Sequence, residues 1–138
     1  MTPRPDPVRL DIATDGDIVL ARQSGRELAG QMGCSPADAT LIATAISEVA
    51  RNIVSYAGSG EVHIEVVDGG NGRNAIEVTA RDEGPGIADL ALAMQDGWSS
   101  GRGLGLGLPG ARRLMDEFRI DSQVGKGTCV VMRKWCTA

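Results

Sequence analysis

The chain has 138 residues, a formal net charge of -4 and 42% hydrophobic residues, so it has enough apolar material for a folded core and intrinsic disorder is excluded. The acidic balance and 3% aromatic content argue against a nucleic-acid-binding surface, which uses basic patches or stacking aromatics. No apolar run reaches the ~20 residues of a membrane helix, and the start lacks the apolar core of a signal peptide. These features predict a cytoplasmic protein without nucleic-acid or membrane partners.

Glycine is the unusual component of the sequence. It accounts for 19 of 138 residues, about 14%, against a usual share of ~7%. Many of the glycines fall between Gly84 and Gly110, and they follow no G-X-Y repeat, so collagen is excluded. This glycine-dense segment therefore requires a chemical explanation.

The predicted elements follow an order that excludes alternating parallel βαβ units. Residues 1–7 contain three prolines and predict a flexible arm, followed by a single domain over residues 8–138. The order predicts an α+β two-layer sandwich with helices on one face of a mostly antiparallel sheet. The predicted strands are 8–12, 61–67, 75–81, 119–124 and 128–135, and the predicted helices are 17–32, 36–56, 89–94 and 108–118.

The second helix has the clearest boundaries. Ser35 is a good N-cap, Pro36 suits the first turn, and Gly58 stops the helix. Its apolar residues repeat at intervals of four, three and four, so this stripe is expected to be buried. The stripe consists of Ile42, Ile46, Val49 and Ile53.

The cysteines show no metal-binding or redox spacing. Cys34, Cys129 and Cys136 are odd in number and form no CxxC motif. In a reducing compartment we expect all three to be free thiols.

Glu48 and Asn52 lie four residues apart on the second helix, so their side chains project from one face beside the apolar stripe. A carboxylate there could deprotonate a nucleophile, and a carboxamide oxygen suits Mg²⁺. Two ordinary polar surface residues would satisfy the same spacing. The pair is therefore a candidate site that needs support from elsewhere in the chain.

A second candidate follows the third predicted strand. Asp82 at the strand end could accept a hydrogen bond from an exocyclic amine, such as that of adenine, while Gly84 and Gly86 would let a flat ring approach the backbone. A simple Asp/Gly/Pro turn would explain the same residues.

The glycine-rich run from Gly101 to Gly110 is the third candidate. Its backbone N–H groups could surround phosphate oxygens, and the helix that follows offers an N-terminus, although a flexible loop is the alternative. A G-x-G-x-x-G match begins at Gly105, but it follows a polar loop instead of a strand, so a dinucleotide fold is rejected. Thr128, after Gly127, begins the last strand.

These pieces, in this order, resemble the GHKL ATPase superfamily, which includes gyrase, Hsp90, histidine kinases and MutL. The resemblance covers about residues 8–135 and implies the Bergerat fold, which is the fold of histidine-kinase-like ATPases. Segments 47–52 (SEVARN), 94–99 (MQDGWS) and 107–118 (GLPGARRLMDEF) are similar to RsbT-type serine/threonine kinases, which are bacterial partner-switching kinases related to anti-sigma factors.

The resemblance implies ATP and Mg²⁺ as cofactors and assigns roles to individual residues. Glu48 would be the general base, Asn52 the Mg²⁺ ligand, and Asp82 the acceptor for the adenine amine. Arg51 could approach a phosphate or form a salt bridge with a carboxylate. The remaining nucleotide-binding residues would be Gly84, Gly86 and Thr128 at the adenine end and Gly101, Gly103, Leu104, Gly105 and Gly107 around the phosphates.

The implied function is phosphorylation of serine or threonine on STAS-domain antagonist or scaffold proteins of the stressosome, with activation of a PP2C-type phosphatase once the kinase is released. One alternative is an anti-sigma kinase that binds a sigma factor directly, and another is a non-enzymatic, nucleotide-dependent adaptor. A detached histidine-kinase catalytic domain fits poorly, because the single histidine, His63, lies in a predicted strand.

Overall fold

The computed structural model describes residues 4–68, 73–87 and 107–136. Within these residues the chain forms three helices and five strands. The helices are α1 (Asp15–Gln31), α2 (Pro36–Tyr56) and α3 (Gly107–Leu114), and the strands are β1 (Val8–Ile12), β2 (Gly60–Asp68), β3 (Asn74–Asp82), β4 (Glu117–Gln123) and β5 (Gly127–Trp135). The predicted helix at 89–94 lies outside the described residues, as does most of the hairpin turn that the run Asp68-Gly69-Gly70-Asn71-Gly72 predicts.

The described strands form one sheet in the order β1-β2-β3-β5-β4, and every neighbouring pair is antiparallel. The helices pack against one face, so the predicted α+β two-layer sandwich is confirmed. The apolar stripe of α2 lies in the core with inward-facing residues of the sheet such as Val62, Ile64 and Val78. Among the described residues, no helix has the length and apolar character needed to cross a membrane.

Side-chain caps define the starts of α1 and α2. Ser35 accepts a hydrogen bond from the Asp38 backbone N–H at 3.1 Å, as the sequence predicted. Helix α1 begins two residues earlier than predicted, because Thr14 and Asp17 form a capping box. Backbone hydrogen bonds to the Asp17 carboxylate, chiefly from Ala13, lower its pKa.

Gly25, in the interior of α1, is the point where α1 approaches α2. A Cβ atom at Gly25 would meet Ile46 Cδ1 at a distance that atoms cannot occupy. Gly25 is therefore explained by close packing of two helices, which outweighs its low helix propensity.

The predicted helix 108–118 is too long. Helix α3 ends at Leu114, and residues from Glu117 onward belong to β4. Phe118 pairs with Met132 of β5, and the Asp116 N–H donates to the Arg133 carbonyl at 2.9 Å. Pairing with β5 therefore overrides the helical apolar spacing at this boundary.

The prediction of three free thiols is wrong for two of them. Cys34, in the turn between α1 and α2, is joined by a disulfide to Cys136, beyond the end of β5, and their Cα atoms lie 4.7 Å apart. Cys129 is a free, half-buried thiol. The spacing of the cysteines could not show this pairing, because 102 residues separate the two partners.

We expect reduction of this disulfide, or the Cys136→Ser substitution, to lower the free energy of unfolding by about 2–4 kcal/mol, because the bond closes a long loop in the unfolded chain. Urea denaturation with and without a phosphine reductant measures the effect. Cys129→Ser is the matched control and should respond to reductant like the wild type. A wild-type midpoint that is insensitive to reductant would contradict the prediction.

Candidate functional site

Glu48 and Asn52 lie on α2 at the edge of its buried stripe. The Glu48 side chain is 13% exposed, and the Asn52 residue is half-buried. The Asn52 amide makes no hydrogen bond to another described residue, so its oxygen is available to a ligand. The described residues contain no group of three or more His, Cys, Asp or Glu side chains that could hold a metal ion. Among the described residues, a divalent cation near Asn52 would therefore have at most two such side chains beside the amide.

Arg51 forms a salt bridge with Glu48. Its Nη1 donates to Glu48 Oε1 at 2.9 Å, across one turn of the helix. Of the two possibilities that the sequence left open for Arg51, the structure shows the pairing with a carboxylate. The guanidinium holds one carboxylate oxygen and leaves Oε2 without a partner among the described residues.

Asp82 is a nearly buried acid at the end of β3, with 8% of its surface exposed. Its Oδ1 accepts hydrogen bonds from the Gly84 N–H at 2.9 Å and the Thr128 N–H at 3.3 Å. Oδ2 has no hydrogen-bond partner in the described part of the chain. In that part of the chain, every fully buried side-chain oxygen or nitrogen has a partner, so Oδ2 is not fully buried. Oδ2 therefore reaches accessible surface as a hydrogen-bond acceptor.

The loop after Asp82 folds back against the β4–β5 turn. The Gly125 N–H donates to the Pro85 carbonyl at 2.8 Å, and Gly86 has φ of 77°. A Cβ atom at Gly86 would collide with the Gln123 carbonyl oxygen, and one at Gly84 would lie 2.5 Å from Ala57 Cβ at the end of α2. Both glycines therefore have a packing role within the protein, and their contact with a base stays a prediction.

We expect Gly86→Ala to destabilise the fold by several kcal/mol, because it adds a backbone collision to the cost of a positive φ. Gly58 is a matched control, since its φ is 83° and nothing lies within 4 Å of its absent Cβ. Gly58→Ala should cost about 1 kcal/mol. Urea denaturation of both variants measures the difference, and equal costs would contradict the packing role of Gly86.

Ser122 on β4 is a site residue that the sequence reasoning missed. Its Oγ accepts from the Ile87 N–H at 2.7 Å and lies 2.8 Å from Thr128 Oγ1. It thus links the loop after Asp82 to β5. The signal was present in the predicted hairpin, because the turn at 125–127 places Ser122 opposite Thr128 in the antiparallel register.

The structure brings together part of the predicted site. Asp82, Gly84, Gly86 and Thr128 meet at one end of β3 and β5, and the end of α2 contacts Gly84 through Ala57. Gly107 is the first residue of α3, which packs against α2. The predicted phosphate-binding residues Gly101, Gly103, Leu104 and Gly105 lie outside the described residues.

The described strands form one antiparallel sheet with helices on one face, and Asp82 is a buried acid at the end of β3. The chain with this fold also matches a known protein family. The family model described as "Histidine kinase-like ATPase domain" matches residues 12–134. The chain belongs to the histidine kinase-like ATPase family, and the GHKL resemblance found in the sequence is confirmed.

Two curated relatives narrow this assignment. Serine/threonine-protein kinase RsbT of Bacillus subtilis (strain 168) is 49% identical over 124 residues, which cover 90% of this chain and 92% of that protein. An anti-sigma F factor of Thermoanaerobacter sp. (strain X514) is 32% identical over 97 residues, or 68% of each chain. The resemblance to RsbT-type kinases is thereby confirmed.

A solved structure shows the same fold. The structure of the RsbU and RsbW domains of Rv1364c from Mycobacterium tuberculosis superposes with a TM-score of 0.67 at 22% identity. The match covers 97% of this chain and 34% of that one, so this chain spans about a third of the solved protein.

Proposed function

We propose that this protein is an ATP-dependent serine/threonine protein kinase of a bacterial partner-switching pathway. The observation that carries the proposal is the 49% identity, over 90% of the chain, to a protein named serine/threonine-protein kinase RsbT. The site geometry supports it independently, because it offers one group suited to a purine amine and another suited to proton transfer.

Asp82 is the proposed acceptor for the adenine amine. Oδ1 is held by two backbone N–H groups, so the carboxylate is fixed in place while Oδ2 stays available. An amine of adenine can donate to this oxygen, whereas guanine presents a carbonyl oxygen at the same ring position and would be repelled. The residues therefore fit an adenine nucleotide.

Asn52 is the proposed protein ligand of Mg²⁺, through an amide oxygen that has no other described partner. When bound, Mg²⁺ supplies positive charge that neutralises phosphate oxygens. Contacts from Gly101, Gly103, Leu104, Gly105 and Gly107 to the phosphates belong to the proposal through the sequence resemblance alone.

Glu48 is the proposed general base. Its carboxylate would accept the proton of the partner's Ser or Thr hydroxyl while that oxygen bonds to the γ-phosphorus and the bond to the β,γ-bridging oxygen breaks, which leaves ADP. Arg51 holds Oε1 at 2.9 Å, so Oε2 is the oxygen left to take the proton. The ion pair also limits rotation of the carboxylate.

The proposed partners are STAS-domain antagonist or scaffold proteins of a stressosome-type pathway, and a PP2C-type phosphatase that the released kinase would activate. A second candidate function is direct binding of a sigma factor, which is favoured by 32% identity to an anti-sigma F factor. The two functions share the nucleotide site and differ in the partner.

Incubation of the chain with γ-³²P-ATP, Mg²⁺ and a STAS-domain protein tests the proposal. We expect label on a Ser or Thr of the STAS protein, and pull-downs with sigma factor and phosphatase would separate the two partner classes. A chain that binds ATP but labels none of its binding partners would be an adaptor, and the kinase proposal would be wrong.

A further inference from the structure

We propose that Ser122 makes the nucleotide site selective for adenine by setting the direction in which the Thr128 hydroxyl donates its proton. The inference rests on the proposed function, in which Asp82 binds the adenine amine. Ser122 would not contact the nucleotide, so it is a positioning residue. It is also absent from the set of residues that the GHKL resemblance assigns to the site.

The hydrogen bonds of Ser122 limit where its single proton can go. The Ser122 Oγ accepts a hydrogen bond from the Ile87 N–H at 2.7 Å. Two acceptors are within reach of its own proton, the Thr128 hydroxyl at 2.8 Å and the Gly127 carbonyl at 3.3 Å. The first distance is ordinary for an O–H···O hydrogen bond, and the second exceeds the usual range. The geometry favours donation from Ser122 to Thr128.

This direction determines what Thr128 offers to a ligand. A hydroxyl that accepts from Ser122 keeps its own proton free to donate. Thr128 is also next to the proposed base-binding carboxylate, because its backbone N–H donates to Asp82 Oδ1 at 3.3 Å. The site therefore presents an acceptor, Asp82 Oδ2, next to a donor, the Thr128 hydroxyl.

Adenine carries the complementary pair. Its 6-amino group is a donor and the adjacent ring atom N1 is an acceptor, whereas guanine carries an acceptor at position 6 and an N1–H donor. Asp82 accepts a hydrogen bond from the 6-amino group, and the Thr128 hydroxyl donates one to N1, directly or through one water. Without the Ser122 hydroxyl, the Thr128 hydroxyl could rotate, and its hydrogen bond to N1 would weaken.

The test measures how the Ser122→Ala substitution is coupled to removal of the N1 acceptor from the nucleotide. Calorimetric titration of wild type and variant with ATP and with 1-deaza-ATP, which has C–H in place of N1, gives four affinities. We expect Ser122→Ala to weaken ATP binding about 3- to 10-fold, the worth of one neutral hydrogen bond, and to leave 1-deaza-ATP binding unchanged. Equal weakening of both nucleotides, or of neither, would overturn the inference.

Two further variants separate positioning from a general structural role. Ser122→Thr keeps the hydroxyl and should restore the preference for ATP over 1-deaza-ATP. Thr128→Val has nearly the same shape without the hydroxyl, so it should bind the two nucleotides alike, and it provides the test if Ser122→Ala does not fold. A Thr128→Val variant that still prefers ATP would also overturn the inference.

The same titrations distinguish this inference from the proposed function. Wild-type protein that binds no ATP, or an Asp82→Asn variant that binds it normally, would count against the proposed site as a whole. ATP binding that requires Asp82 but shows no coupling between Ser122 and N1 would remove only the role of Ser122.

Discussion

The Glu48→Gln variant is expected to lose phosphoryl transfer by about 10²–10⁴-fold while it binds ATP as the wild type does. Glutamine has nearly the same shape, and its Oε1 can still accept the hydrogen bond that Arg51 donates at 2.9 Å. What it lacks is a carboxylate oxygen that can take the proton of the acceptor hydroxyl. Transfer of label from γ-³²P-ATP to the partner, measured beside calorimetric ATP binding, separates the two effects.

Glu65→Gln is the matched control for this substitution. Glu65 is a half-buried glutamate on β2 that alternates with the core residues Ile64 and Val66, so its side chain faces away from the helices and its replacement should leave transfer unchanged. Full transfer activity in Glu48→Gln would show that Glu48 is not the base. Loss of ATP binding together with transfer would instead place Glu48 in the nucleotide contacts.

The second large effect is expected at Asp82. Asp82→Asn should weaken ATP binding by about 10²–10³-fold, because it removes a charge-assisted hydrogen bond and places an amide donor against the adenine amine. The fold should be preserved, since the Asn oxygen can still accept from the Gly84 and Thr128 N–H groups that bind Oδ1. Calorimetric titration with ATP and GTP measures the change. The amide donor can face the carbonyl oxygen of guanine, so the ratio of ATP affinity to GTP affinity should fall.

Asp121→Asn is the control, because Asp121 is an exposed carboxylate on β4. It should bind ATP like the wild type. Unchanged ATP affinity in Asp82→Asn, with the thermal midpoint also unchanged, would mean that the carboxylate does not bind the base.

Sequence reasoning succeeded where neighbours along the chain determine the structure. Helix α2 has the predicted bounds because its signals are local: the Ser35 cap, Pro36 in the first turn and Gly58 with φ of 83°. The ordered motifs were also readable, since each lies within a few residues. They led to the family that the comparisons confirmed, while the chemical roles of the individual residues stay predictions.

Sequence reasoning failed where partners are distant along the chain. Phe118 fits the apolar spacing of a helix, yet pairing with Met132 places it in β4. Cys34 and Cys136 carry no local signal of a disulfide across 102 residues.

The sequence by itself therefore determined the class of fold, the boundaries of α2 and the candidate nucleotide residues, because helix caps, periodicity and short motifs depend on local interactions. Tertiary structure alone decided how these residues meet. It fixes Asp82 Oδ1 with backbone donors from two separate segments and leaves Oδ2 available. It also joins Ser122, Thr128 and Ile87 in one hydrogen-bond network, in which Ile87 and Ser122 are 35 residues apart along the chain.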